Sequence, residues 1–272
     1  MPDSHTQKFL ESMDPSQSKS LSTADQFSGL IDTPEAMTSV IDTLVGLPSS
    51  PPSLFIDLEG VSLSRHGTVS VLQLLIFPSD RTYLIDIHTL GSKAFHAPGT
   101  DGQTTLKSIL ESTAIPKVFF DVRKDSDALY AHFGISLAAI QDLQLMEMAT
   151  RRPTLPKKYL NGLAKCIEKD VSLTLDESYR WKTVKEKGRK LFAPECGGNY
   201  EVFNARPMSE DVQAYCIQDV KFMPKLWAVY NAKLTSPVWK GKVEKATRDR
   251  VVMSQSASFD GNGPHMTFGP WH

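Results

Sequence analysis

The chain has 272 residues, of which 40% are hydrophobic, so it can bury the core of one large domain or two small ones. Its 30 Lys and Arg residues nearly balance 31 Asp and Glu residues, and this overall charge neither favours nor excludes a polyanionic partner. The three cysteines lack a Cys-x-x-Cys spacing and indicate neither a disulfide framework nor a thiolate zinc site. The chain also lacks an apolar run of membrane-spanning length and the apolar core of a signal peptide, so we expect a cytoplasmic or nuclear protein without a membrane partner.

Composition divides the chain into three parts. Residues 1–33 are rich in Ser, Asp, Gln and Thr and keep no apolar period, which predicts a disordered amino-terminal segment. Residues 34–245 are predicted to form one folded domain. Residues 246–272 drift towards Ser, Gly and Asn and predict a weakly ordered tail, whose last residues either dock onto the domain through Trp271 or are disordered.

The folded part begins with a predicted helix over 34–47, which the prolines that follow Leu47 end. The pattern then predicts a series of strands, separated first by short turns and later by helices, at 54–58, 70–77, 81–87, 117–120 and 140–143. The helices predicted after the third strand are at 104–111, 124–133, 160–169 and 209–234, the last of them the longest and kinked at Pro224. This order predicts an α/β fold with a mixed sheet, an antiparallel meander followed by parallel strands, flanked by helices.

The first predicted strand carries two carboxylates, Asp57 and Glu59. Side chains alternate along a strand, so these two project to the same face. Like charges beside each other repel, whereas a divalent cation between them would remove the repulsion. The alternative is an ordinary edge strand with one solvated face.

Three later residues extend this pattern. Asp125 lies near the start of the helix that follows the strand at 117–120, and Tyr215 and Asp219 are four residues apart, on one face of a predicted helix. Taken singly, an Asp at a helix start is a favoured cap and a Tyr–Asp pair is common on a helix surface. Taken in order, Asp-x-Glu, Asp and Tyr-x-x-x-Asp resemble the DEDD superfamily of 3'-5' exonucleases in its tyrosine-bearing branch.

Further motifs carry the same resemblance over about residues 50–235. They are Leu72-Gln-Leu, Val122-Arg-Lys-Asp-Ser, Leu160-Asn-Gly-Leu-Ala and Arg206-Pro-Met. The chain resembles ribonuclease D and Werner-type exonuclease domains, and most closely the Egalitarian-like 3'-5' exonuclease domain-containing proteins. The resemblance implies a ribonuclease H-like fold and an enzyme that hydrolyses phosphodiester bonds at the 3' end of single-stranded RNA or DNA. The alternative is a catalytically inactive adaptor that keeps the fold and binds nucleic acid.

The resemblance also implies a site with two Mg²⁺ or Mn²⁺ ions. Its metal carboxylates fall on Asp57, Glu59, Asp125 and Asp219, with Asp57 bridging the two ions, and Tyr215 would orient the attacking water. Hard cations prefer such oxygen ligands. Asp127 is the second choice for the position of Asp125. Ala214 stands where the histidine branch of the superfamily would have its histidine, and Glu177-Ser178 departs from the Lys-Ser common in the family.

A basic region lies between the second and third motifs. Residues 151–190 contain 12 Lys or Arg and 5 Asp or Glu. Cations that follow phosphates, interleaved with aromatic rings that stack on bases, are typical of single-strand binders. We therefore predict nucleic-acid contacts from Arg180, Trp181, Lys182, Lys185, Lys187 and Arg189. A solvated helix with surface ion pairs is the alternative.

Overall fold

A computed structural model of the protein describes residues 27–152 and 154–271. Its centre is a six-stranded sheet in the order β1-β4-β3-β2-β5-β6. The strands are β1 Phe27–Ile31, β2 Leu54–Glu59, β3 Val71–Ile76, β4 Arg81–Asp86, β5 Lys117–Phe119 and β6 Ile140–Asp142.

Helices pack on the sheet and extend beyond it. In chain order they are α1 Pro34–Leu44, α2 Ile87–Leu90, α3 Lys93–His96, α4 Leu106–Glu111, α5 Arg123–Phe133, α6 Leu143–Thr150, α7 Leu163–Asp170, α8 Leu175–Phe192, α9 Glu210–Lys221, α10 Met223–Lys233 and α11 Pro237–Gln255. Short 3₁₀ helices occupy Pro194–Cys196, Tyr200–Phe203 and Pro264–Thr267. In the described part of the chain, every helix is too short or too polar to span a bilayer.

The strand pairing confirms the predicted mixed sheet. β2, β3 and β4 form an antiparallel meander, and β5 and β6 continue the sheet in parallel from β2. Alternation along β2 sends Ile56 and Leu58 into the core on one face of the sheet, whereas Phe55 packs in the cluster on the other. Asp57 and Glu59 therefore share the face of Phe55. They lie near the middle of the sheet, between β3 and β5.

Both predicted boundaries of the folded domain need correction. β1 lies within the segment that we expected to be disordered, and it pairs in parallel with β4. The short run FSGLI has little hydrophobic periodicity, so it forms a strand because it pairs with the edge of β4. The local sequence pattern does not reveal that pairing. The prediction for residues 1–26 falls outside the described residues. At the other end, α11 continues ten residues past 245 and buries Ala246, Thr247, Arg250 and Val251.

The carboxy-terminal residues 256–271, which we call the C-terminal strap, dock onto the domain. Phe268 forms a β-bridge with Tyr159, and their rings stack with centroids 5.4 Å apart. The ring of Trp271 meets that of Trp239 edge-on at 5.2 Å. Of the two possibilities for these last residues, docking is therefore the one observed.

The prediction of a single long helix over 209–234 is wrong. The chain forms two helices, α9 and α10, which meet at Phe222. Pro224 has no amide hydrogen to donate to the carbonyl oxygen of Val220, so an unbroken helix would lose this bond. The longest helices of the described chain are instead α8 and α11, with 18 and 19 residues.

Candidate active site

Three carboxylates from two elements meet over the centre of the sheet. Asp57 and Glu59 project from β2, and Asp219 reaches the same point from α9, which packs across β2, β3 and β4. One oxygen from each carboxylate lies within 4.8 Å of the others. Such a set of hard oxygen ligands fits a divalent cation such as Mg²⁺ or Mn²⁺.

The acid cluster is electrostatically costly without a cation. Burial, followed by the charge of Asp219, raises the pKa of Asp57 from its ordinary 3.8 to about 8. Burial and the charge of Asp57 likewise raise the pKa of Glu59 well above its ordinary value. At neutral pH without metal, the folded protein therefore retains protons that these groups would lose in water. A divalent cation would favour the ionised carboxylates and displace those protons.

Asp125 lies at the edge of this cluster. It is in the first turn of α5, the residue is 4% exposed, and it lines one cavity of about 460 Å³ with Asp57 and Glu59. Burial, then the charge of Asp57, raises its pKa well above the usual range. Asp127 lies elsewhere, since its carboxylate is buried against Arg65, with Oδ1 2.6 Å from Nε. The geometry thus favours Asp125 over Asp127 at the cluster.

The other side of the cluster is occupied by Tyr215 and Lys185. Lys185 Nζ lies 2.5 Å from Asp219 Oδ1 and 3.2 Å from the hydroxyl oxygen of Tyr215. Burial raises the pKa of Tyr215, so its hydroxyl keeps its proton. Burial alone would lower the pKa of Lys185, but the adjacent Asp219 carboxylate outweighs this effect and raises it. A phenol that stays protonated can orient a water molecule, whereas it is a poor base.

Gly188 allows α8 to approach Tyr215 closely. It is buried within α8, and a Cβ added at this position would overlap the ring of Tyr215. Gly188 was not among the residues predicted for the site. The available signal was a glycine inside a helix, which usually has a packing or functional reason because it weakens the helix.

The prediction of a nucleic-acid-binding surface is wrong for two of its residues. Trp181 is 5% exposed and belongs to the hydrophobic core, so it cannot present a ring to a base. Lys185 turns inward to the acid cluster instead of lining an outer surface. The remaining predicted cations form exposed ion pairs, as in the alternative that we considered: Arg180 with Asp176, Lys182 with Glu168, Lys187 with Asp211 and Arg189 with Glu195. Exposed pairs of this kind contribute only about 0–1 kcal/mol, so a phosphate can compete for the cations.

The sequence matches a known protein family over most of its length. The model of the 3'-5' exonuclease family aligns with residues 29–234. The chain belongs to the 3'-5' exonuclease family. This match includes β2, α5 and α9, which carry the acid cluster and Asp125. It also confirms the resemblance to the DEDD exonuclease superfamily.

Individual relatives of this chain include proteins named for piRNA biogenesis. The human piRNA biogenesis protein EXD1 is 31% identical over 156 residues, which are 57% of this chain and 28% of the human protein. The EXD1 protein of Bombyx mori is 25% identical over 190 residues, 69% of this chain and 53% of that protein. The chain thus spans from about a quarter to about half of the length of these two relatives.

Solved structures of ribonuclease D share the fold. The Trypanosoma brucei enzyme in complex with RNA U12 aligns with a TM-score of 0.67 and 18% identity, covering 96% of this chain and 79% of that one. Escherichia coli RNase D aligns with a TM-score of 0.58 and 19% identity, covering 84% and 51% of the two chains. At these identities the likeness concerns the fold. It confirms the predicted ribonuclease H-like architecture.

Proposed function

We propose that the protein is a metal-dependent 3'-5' exonuclease that hydrolyses the terminal phosphodiester bonds of single-stranded nucleic acid. The observation that carries this proposal is the convergence of Asp57, Glu59 and Asp219 within 4.8 Å, beside a cavity that Asp125 also lines. RNA is the substrate that we favour, because the relatives are named for piRNA biogenesis and a structural neighbour was solved with RNA.

Each residue of the site has a role in this proposal. Asp57, Glu59, Asp219 and Asp125 would hold two Mg²⁺ or Mn²⁺ ions, which would activate water and neutralise charge on the phosphate. The Tyr215 hydroxyl, which keeps its proton, would hold the attacking water in line. Lys185 keeps a positive charge beside Asp219 and reduces the repulsion between the acids and an incoming phosphate.

The test is digestion of matched 5'-labelled single-stranded RNA and DNA oligonucleotides with Mg²⁺ or Mn²⁺. We expect a ladder that shortens from the 3' end, depends on metal and disappears in Asp57→Asn. The matched control is Asp249→Asn, which removes an exposed carboxylate of α11 that pairs with Lys245. Salt-sensitive binding without cleavage by the wild type would instead support the inactive adaptor.

A further inference from the structure

The C-terminal strap forms one wall of the cavity at the acid cluster. The strap residues that line this cavity, together with Asp57, Glu59 and Asp125, are Gly261, Asn262, Gly263 and Met266. The strap follows residue 234, the last that matches the exonuclease family model. The strap thus lies outside the residues that the family model matches.

The first half of the strap is tied to the loop that follows β2. Arg65 in this loop donates from Nη1 to the carbonyl oxygen of Ala257 at 3.3 Å, and its guanidinium lies 5.9 Å from the ring centroid of Phe259. Arg65 is itself held by its ion pair with Asp127. Further along, Arg123 donates from Nη2 to the carbonyl oxygen of Met266 at 2.9 Å. These contacts hold the strap at the mouth of the cavity.

The second half of the strap is fixed to the loop before α7. The amide of Leu160 donates to Thr267 O at 2.9 Å, and the amide of Gly269 donates to Lys158 O at 2.8 Å. The Phe268–Tyr159 and Trp271–Trp239 ring contacts reinforce this end. Because contacts hold the strap on both sides of Gly261–Met266, this segment forms a fixed wall of the cavity.

The strap and α8 bound the acids from two sides. Lys185 of α8 meets the cluster at Asp219, whereas the strap lies on the side of Asp125. The cavity between the strap and β2 measures about 460 Å³, within the range of roughly 300–1,000 Å³ in which pockets hold one small ligand. Asp57, Glu59 and Asp125 line this open cleft, so a strand end that reaches them passes beside Gly261–Met266 of the strap. A duplex end would bring a second strand to the same wall.

The lining of the cavity suits unpaired nucleotides. Leu63, Phe120 and Met266 offer apolar contacts, and Lys124 supplies a cation at the same cavity. Bases of a single strand expose faces that pack on such side chains, whereas those faces are already stacked in a duplex. We propose that the C-terminal strap determines specificity, admitting an unpaired 3' end to the acids and excluding a duplex end. This proposal rests on the proposed exonuclease function.

The test uses a full-length double variant that loosens the strap, Phe268→Ala/Trp271→Ala. Its matched control is Leu175→Ala/Val45→Ala, which removes two exposed apolar side chains, 93% and 55% exposed, neither of them adjacent in sequence to a residue that anchors the strap. Binding of 5'-labelled single-stranded and blunt duplex RNA of the same sequence is measured with Ca²⁺, and cleavage with Mn²⁺. Since stacking of one base contributes about 1–3 kcal/mol, we expect wild type and control to bind the single strand at least about fivefold more tightly than the duplex.

The loosened variant should reduce that preference at least about fivefold, mainly through tighter duplex binding. An unchanged preference, in a variant whose strap is cut faster by protease, would overturn the proposal. A second variant, Asn262→Glu, places a carboxylate at an exposed position on the cavity wall, where it repels the phosphates of an entering strand, and should weaken single-strand binding by a similar factor. Unchanged binding by that variant would also overturn the proposal. Strand preference that depends on the strap, without any cleavage, would refute the exonuclease function and leave the strap's role standing.

Discussion

In the absence of divalent metal, the free energy of unfolding of the protein should decrease as pH rises. Asp57 has a pKa of about 8 in the folded protein and 3.8 in its ordinary state, so the folded chain keeps a proton that the unfolded chain has lost. The stabilisation from this proton is complete below the pKa of Asp57 in the unfolded chain. It is lost as pH rises through the pKa of Asp57 in the folded chain. Between about pH 5 and about pH 7 the folded chain binds close to one proton more than the unfolded chain. Over these pH values the free energy of unfolding should therefore fall by about 2.5 kcal/mol.

This figure is an upper limit for Asp57, because its side chain is only half-buried and solvent screens part of the interaction. The raised pKa of Glu59 and that of Asp125 act in the same direction. The window ends at about pH 7 because Lys117 has a pKa lowered by burial to about 8, and its deprotonation stabilises the fold above that point.

The assay is urea denaturation across this pH range, with EDTA or with Mn²⁺. With EDTA, the free energy of unfolding should decrease with pH. With Mn²⁺, the decrease should be smaller or reversed, because the cation binds the ionised carboxylates. Asp57→Asn should flatten the decrease, whereas Asp249→Asn should not. A free energy of unfolding that is constant or rises from pH 5 to pH 7 in EDTA would refute the electrostatic account of the acid cluster.

Three substitutions test the surroundings of the cluster. Lys185→Met leaves the carboxylate of Asp219 without its partner, so it should destabilise the protein in EDTA by up to about 3 kcal/mol and by less in Mn²⁺, as measured by denaturation. Equal losses in the two conditions would contradict this. Gly188→Ala should increase the helix propensity of α8 by about 1 kcal/mol. It should nevertheless lower exonuclease activity at least about tenfold, because the added methyl group displaces Tyr215. Unchanged activity would show that the ring has room to move. Trp181→Ala should destabilise the fold by about 3–5 kcal/mol while RNA binding per folded molecule is retained, and a selective loss of binding would restore this residue to the interface.

The sequence predicted best those features that depend on neighbouring residues. Alternation along β2 placed Asp57 and Glu59 on one face, and this placement needs only the geometry of a strand. The helix at Arg123–Phe133 ends at Gly134, whose φ of 60° is a left-handed conformation that glycine adopts readily. In both cases a few adjacent residues contain the relevant information. The convergence of Asp219 with β2, by contrast, was inferred from the resemblance to a family.

Features that depend on distant contacts were missed. β1 forms on the edge of β4, and the C-terminal strap is held by Arg65, Arg123 and the rings of Tyr159 and Trp239. Neither segment has a strong pattern of its own. Lys185 was placed on a nucleic-acid surface because its neighbours in sequence are basic, whereas the rotation of α8 turns it towards Asp219. Composition reveals a cationic helix but does not show which of its faces is buried.

The charges of the site bear on the choice between an enzyme and an inactive adaptor. An adaptor for a polyanion gains affinity from cations, and the exposed pairs along α8 could supply these. The cavity lining has the opposite character, since Asp57, Glu59 and Asp125 would repel a phosphate whenever they are ionised. Their repulsion is useful only if divalent cations lie between them and the substrate, and bound cations at that point also activate water. These carboxylates thus supply no cation to a simple RNA-binding cleft, whereas two-metal hydrolysis of a phosphodiester uses them as ligands, and this favours the enzyme.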